Sequence, residues 1–162
     1  MHVRLGDLLV ERGAITARQR DDILEAQTRR STPFGVLAEE LYGVSPSVIE
    51  DAWVTQYAKM APRLDPRTRT IEPHIKGVIE RRQAWQFGVI PVARHPEGLE
   101  LVTTEASLGR ALRFVGWRIT TPTFFSICES DALPIALELH YPIAGLDAHF
   151  VNSVMSRYAK AG

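Results

Sequence analysis

The chain has one cysteine, Cys128, in 162 residues. That excludes a disulfide framework, and with no Cys/His cluster at zinc spacing it points to a reducing compartment. An excess of either charge is missing as well: 19 Lys and Arg balance 19 Asp and Glu. A broad basic surface is therefore not expected, and neither DNA nor RNA is expected as a partner. No apolar run approaches the roughly 18 residues of a membrane-spanning helix, so direct membrane insertion is not expected. Met1 to Gly13 carries Arg4, Asp7, Glu11 and Arg12 and lacks the unbroken apolar core of a secretory signal. The five histidines show no HExxH spacing, so no metal site is expected. Trp53, Trp85 and Trp117 are too few for a nucleic-acid stacking platform and are expected in packing. Gly109 and Gly116 lack the lysine and hydroxyl that complete a phosphate loop, and no such loop occurs elsewhere. What remains is an ordinary globular composition, 45% apolar and 23% charged, read as cytoplasmic, without a cofactor and without catalytic residues.

Against these absences stands a repeat. Residues 4–27 and 33–56 match at an offset of 29: Gly6 with Gly35, Leu8 with Leu37, Glu11 with Glu40, Thr16 with Ser45, Gln27 with Gln56. Each unit reads as a short helix, a turn and a longer helix. Leu5, Leu8 and Leu9 recur at helical spacing, and Gly13 is a natural helix stop. Thr16 and Gln19 make a capping-box pattern ahead of Ile23, Leu24 and Gln27. In the second unit Phe34, Leu37, Ala38 and Leu41 form the apolar face, and Gly43 stops the helix. Ser45 caps the next helix with Pro46 at its first position, and Val48, Ile49, Ala52 and Trp53 continue that helix's apolar face. Two hairpins packed on each other explain this periodicity without a ligand. Glycine near a helix start, at Gly6 and Gly35, costs about 1 kcal/mol against alanine and suits a close approach to the backbone.

Beyond the repeat, residues 61–70 hold Pro62 and Pro66 and read as a connector. A helix is predicted from Pro73 to about Phe87, ended by Gly88. Val89–Ala93 and Leu99–Thr103 alternate as a hairpin around His95-Pro96-Glu97-Gly98. Ser107–Val115 reads as a short helix with Leu108, Ala111 and Leu112 inward, and Thr120–Cys128 as a third strand. Ser130–Tyr141 reads as a helix with Leu133, Ile135, Ala136, Leu137 and Leu139 on its apolar side. Phe150, Val151, Val154 and Tyr158 predict one more helix in the tail. Ser126, Cys128, Glu129 and Asp131 stand near the third strand, but a cysteine in a β-rich apolar stretch is first a core residue.

The run Arg4-Leu5-Gly6 with Leu9-Val10, Gly13, Ala14-Ile15, Leu24 and Gln27 resembles the 24-residue motif of the MshE N-terminal domain family. Those domains stand at the front of type II secretion and type IV pilus assembly ATPases. Here both motifs have 24 residues and the spacer, Thr28 to Thr32, has five, as in that family. The order helix, hairpin, helix, strand, helix is similar to the second half of such domains, and the resemblance covers about residues 4–142. It implies an α+β fold: a bundle of two helical hairpins (1–60), the connector (61–70), a small subdomain with a mainly antiparallel three-stranded sheet (71–142), and a tail (143–162). It implies a non-enzymatic regulatory domain without the ATPase motor, which binds cyclic di-GMP and acts on a secretion, pilus or motility protein. Recruitment to the inner membrane would then run through that partner.

The residues that the resemblance assigns to the ligand are Arg4, Leu5, Gly6, Leu9, Leu24 and Gln27 in the first motif, and Phe34, Gly35, Trp53 and Gln56 in the second. Arg4 is a fork-shaped donor suited to a phosphate or to the O6/N7 edge of guanine. Gln27 suits a guanine edge, and the leucines suit purine faces. The second motif departs from the pattern. Pro33 replaces the arginine, Ala38 a larger aliphatic, and Tyr42 the glycine. In the first motif Arg20 stands where leucine is usual. Arg29 and Arg30 in the spacer are candidate phosphate contacts. The damaged second motif keeps a second reading open, a protein docking module that has lost nucleotide binding.

Overall fold

The computed structural model describes residues 4–149 and 151–153, and the repeat folds into four helices: α1 (Leu5–Glu11), α2 (Ala17–Arg29), α3 (Phe34–Tyr42) and α4 (Pro46–Met60). Thr16 caps α2 in a complete capping box: its hydroxyl accepts from the Gln19 amide at 3.1 Å, and its own amide donates to the Gln19 side chain at 2.9 Å. Ser45 does the same work for α4 more loosely, accepting from the Val48 amide at 3.4 Å. Gly13 and Gly43 both take the left-handed conformation that ends a helix, with φ of 72° and 64°. Gly43 falls one place late on the repeat, so α3 runs on through Tyr42. The turn absorbs the shift, and α2 and α4 still begin in register at Ala17 and Pro46. Tyr42 finds a use there, donating its hydroxyl to Asp22 at 2.9 Å.

The hairpins exchange partners. The short helix α1 packs on α4, and α3 packs on α2. The core consists of Leu8, Leu9, Ile15, Ile23, Leu37, Ala38, Val44 and Ala52, all buried. These are four pairs at the repeat offset, Leu8/Leu37, Leu9/Ala38, Ile15/Val44 and Ile23/Ala52, so the core is a pseudo-twofold object. The glycines obey the same symmetry. A Cβ on Gly6 would stand 2.8 Å from the Phe34 ring and 3.0 Å from Arg20; one on Gly35 would stand 2.8 Å from Ile49 and 3.9 Å from Leu5. Phe34 and Leu5 are repeat equivalents, as are Arg20 and Ile49. Each glycine thus makes room for one side chain of its own motif and one of the other. Leu41, expected in the apolar face, is exposed. Its repeat equivalent is the exposed Arg12, so this register faces water in both hairpins.

The chain divides into two compact units, residues 1–60 and 61–162. The second begins with residues expected as a connector, and they are built into its sheet. The Leu64 amide donates to the Ile127 carbonyl at 3.1 Å, and the Ile127 amide to the Pro62 carbonyl at 2.8 Å. A 3-10 turn follows at Pro66–Thr68, packed against a late helix. The helix predicted from Pro73 to Phe87 is two helices, α5 (Pro73–Lys76) and α6 (Arg81–Phe87). Gly77 closes the first, and Glu80 starts the second with its own capping box to Gln83. Such a reciprocal cap satisfies the amides that a continuous helix would bond to its preceding turn.

Strands β1 (Val89–His95) and β2 (Gly98–Thr104) form the expected antiparallel hairpin, with Pro91 on the edge strand. Helix α7 (Leu108–Arg118) then crosses to β3 (Thr123–Cys128), which runs parallel to β2. The sheet is therefore mixed, not mainly antiparallel. A crossover helix between neighbouring strands returns the chain in the same direction, which a tight turn cannot do. Helix α8 (Ala132–His140) buries Leu133, Ala136, Leu137 and His140. Ile135 and Leu139, expected inward, are 40% and 59% exposed. They stand four residues apart on the opposite face, where a period of 3.6 must place them. Trp117 is 80% exposed, outside any packing role. Of the predicted tail helix, 148–149 and 151–153 are helical; Phe150, Val154 and Tyr158 lie outside the described residues.

Candidate functional site

Helix α1 opens at Arg4, whose extended backbone leads into Leu5 and Gly6. Helix α2 sets Arg20, Leu24 and Gln27 at spacings of four and three, so the three share one face. Between these two elements lies a cavity of about 560 Å³. Arg4, Leu5, Gly6, Leu24 and Gln27 of the first motif line it, and Phe34 of the second closes one side. Its remaining walls are Asp7, Arg20 and Asp21.

The electrostatics of the cavity centre on two arginines. Arg4 is exposed, and among the described residues its guanidinium has no hydrogen-bond or ion-pair partner. Arg20 is held by two carboxylates. Its Nε donates to Asp21 Oδ1 at 3.2 Å and its Nη1 to Asp7 Oδ1 at 3.0 Å. The hydrogen bond that Arg20 donates to Asp21, with the one to Asp7 adding to it, raises the guanidinium above its ordinary pKa. The fork is fixed in direction while its side chain stays 30% exposed. Gln27 donates Nε2 to the Thr32 carbonyl at 3.0 Å, which leaves its side-chain oxygen as an acceptor. Leu24 is 39% exposed although apolar. The cavity thus offers guanidinium donors, carboxylate and amide acceptors, and apolar surface from Leu5, Leu24 and Phe34.

No family model matches the chain, and no curated protein matches it. Several solved structures are similar to it, two of them as follows. One, described as MshE with cdg, is 20% identical with a TM-score of 0.47, and the match covers 86% of this chain and 99% of that one. The other, the N-terminal domain of XpsE, is 19% identical with a TM-score of 0.43, covering 83% and 92% respectively.

The remaining candidate residues stand elsewhere. Leu9 is fully buried in the helical core, so it has no face to offer a ligand. Gly35 packs under Ile49, and Trp53 stands against Tyr57 with ring centroids 5.4 Å apart. Neither they nor Gln56 line the cavity. Arg29 pairs with Glu25 and Arg30 with Glu40, both on the surface. Asp7, Arg20 and Asp21 escaped the sequence reading. The signal for Arg20 was present, since it continues the face of Leu24 and Gln27 one turn earlier, but it registers in the motif only as a misplaced leucine.

Two polar groupings occur in the second unit. Glu100, buried on the central strand, accepts from the Ser126 hydroxyl at 2.6 Å and meets His95 Nε2 at 2.7 Å. This satisfies a buried carboxylate, as burial demands. Cys128 lines a smaller cavity of about 220 Å³ with Asp65 and Arg67. Burial, with Asp65 adding to it, pushes its thiol up to about 12, so the thiolate needed of a nucleophile is scarce. Among the described residues no group of three or more His, Cys, Asp or Glu could hold a metal ion, and no helix is long and apolar enough to cross a membrane.

Proposed function

We propose that residues 1–60 bind cyclic di-GMP at the α1–α2 cavity, and that the chain is a regulatory domain of the kind that precedes the motor of secretion and pilus ATPases. Its partner would belong to a secretion, pilus or motility apparatus. One observation carries the reading: Arg4, Leu5, Gly6, Leu24, Gln27 and Phe34, drawn from two motifs on sequence alone, converge on a single cavity. A guanine nucleotide needs cationic donors for phosphate and for its O6/N7 edge, acceptors for its N–H groups, and an apolar face for its ring. The cavity has all three.

Isothermal titration of the purified chain tests the proposal. Binding is expected, and Arg4→Ala should weaken it at least about tenfold, the loss of one charged hydrogen bond. No heat and no thermal shift at high micromolar cyclic di-GMP would sink it. The docking alternative draws on Ile135 and Leu139, which α8 turns to solvent. It needs no nucleotide, so the same titration separates the two.

A further inference from the structure

The two guanidinium groups of the α1–α2 cavity stand in unlike surroundings. Arg4 is exposed, and among the described residues no carboxylate pairs with it. Arg20 is clamped: its Nε and Nη2 both meet Asp21 Oδ1 at 3.2 Å, and its Nη1 donates to Asp7 Oδ1 at 3.0 Å. A guanidinium carries more N–H donors than these contacts use. Each carboxylate contributes only its Oδ1, so Asp21 Oδ2 remains an acceptor beside the remaining N–H groups of Arg20. All four residues line the cavity.

A phosphate and a base edge are received differently by these two groups. A phosphate brought to Arg20 meets the like charges of Asp7 and Asp21 as well, so attraction and repulsion oppose each other there. At Arg4 nothing opposes it. A guanine edge is neutral and mixed: O6 accepts, while N1–H and the N2 amine donate. Arg20 beside Asp21 offers the complement, a donor next to an acceptor. Adenine reverses the pattern, with an N6 amine in place of O6 and a bare N1 in place of N1–H. Leu24 follows Arg20 by one turn on the same face and is 39% exposed, an apolar floor for a ring held there. Resting on the nucleotide reading above, we infer that the cavity has a fixed polarity: the Arg20–Asp21 pair reads the Watson–Crick edge of one guanine, and Arg4 takes a phosphate. Arg20, which stands where the motif usually has leucine, is then a specificity-determining residue of this chain.

The sign of one substitution decides between edge reading and charge alone. Asp21 is exposed, so Asp21→Ala spares the core. If its carboxylate accepts from a guanine N–H, titration of the full-length variant should show cyclic di-GMP binding weakened by at least about tenfold. Unchanged or tighter binding would mean that the carboxylate is idle or merely repels a phosphate, and would overturn the inference. Arg20→Lys keeps the charge and loses the fork, and should also weaken cyclic di-GMP by at least about tenfold. Wild-type affinity in that variant would reduce Arg20 to a point charge and overturn edge reading. Cyclic di-AMP should bind the unaltered chain more than about tenfold more weakly than cyclic di-GMP, since a site built to pair a polar edge rejects its mismatch. Equal binding of the two would overturn guanine reading and leave nucleotide binding standing. No binding of cyclic di-GMP to the unaltered chain would overturn this inference together with the function on which it rests.

Discussion

Cys128 closes β3 with its thiol buried, and burial raises its pKa from 9.0 to about 12. At pH 8 a shift of that size leaves about a thousandfold less thiolate than an ordinary cysteine has. The native protein should therefore resist an aromatic disulfide reagent at pH 8 and label at once in denaturant; rapid native labelling would show the thiol to be accessible. A residue's type foretold its role where one demand ruled it. Cys128 was legible as core, and Arg4 and Gln27 as cavity residues. It misled where two demands compete for one side chain. Leu9 fits both a purine face and the core, and the repeat decides, because its partner Ala38 is core as well. Gly6 and Gly35 read as openings for a ligand, yet the space at each is already taken by Phe34 or Ile49. Gly6 still lines the cavity, but what forbids a side chain there is the neighbouring hairpin.

Among the elements, those with local causes were the most legible. The capping box at Thr16, the left-handed Gly13 and Gly43, and the β1–β2 hairpin each follow from residues close in sequence. The direction of β3 does not, since its pairing with β2 spans the whole of α7. The break between α5 and α6 was hidden because Val78 and Ile79 continue the apolar pattern across it. Gly98 shows how tightly the hairpin is set. Its φ is 145°, and a Cβ there would stand 2.4 Å from the Pro122 carbonyl oxygen, which accepts from the Leu99 amide at 2.9 Å. Gly98→Ala must adopt a conformation that L residues avoid and also push away the segment leading into β3. A loss of at least about 2 kcal/mol in urea unfolding is expected, at the upper part of the range for backbone strain. An unchanged midpoint would mean that the turn relaxes freely and does not position β3.

At the scale of the molecule, the two groups that burial raises farthest among the described residues belong to one unit. Burial raises Cys128, and burial raises Tyr141, whose hydroxyl donates to the Lys76 carbonyl at 2.9 Å. Both lie in residues 61–162. A pKa raised on folding means that the unfolded chain releases its proton first. The stability tied to these groups is complete below the unfolded values, near pH 9 for the thiol and pH 10 for the phenol, and is lost as the pH climbs toward the folded values. In the helical unit Tyr42 is raised too, by its hydrogen bond to Asp22, but it lies at the surface where solvent screens the effect. The second unit should therefore weaken first. Trp85 reports on it directly, because its indole N–H donates to the Tyr141 carbonyl at 2.7 Å, and Trp53 reports on the first. Single-tryptophan variants, Trp53→Phe with Trp117→Phe and Trp85→Phe with Trp117→Phe, let urea unfolding be followed at each site. Between about pH 8 and pH 10.5 the Trp85 midpoint should fall clearly and the Trp53 midpoint little. Equal shifts at the two sites would mean that the whole chain unfolds as one cooperative body, and a larger shift at Trp53 would place the alkaline-sensitive groups in the wrong half of the molecule.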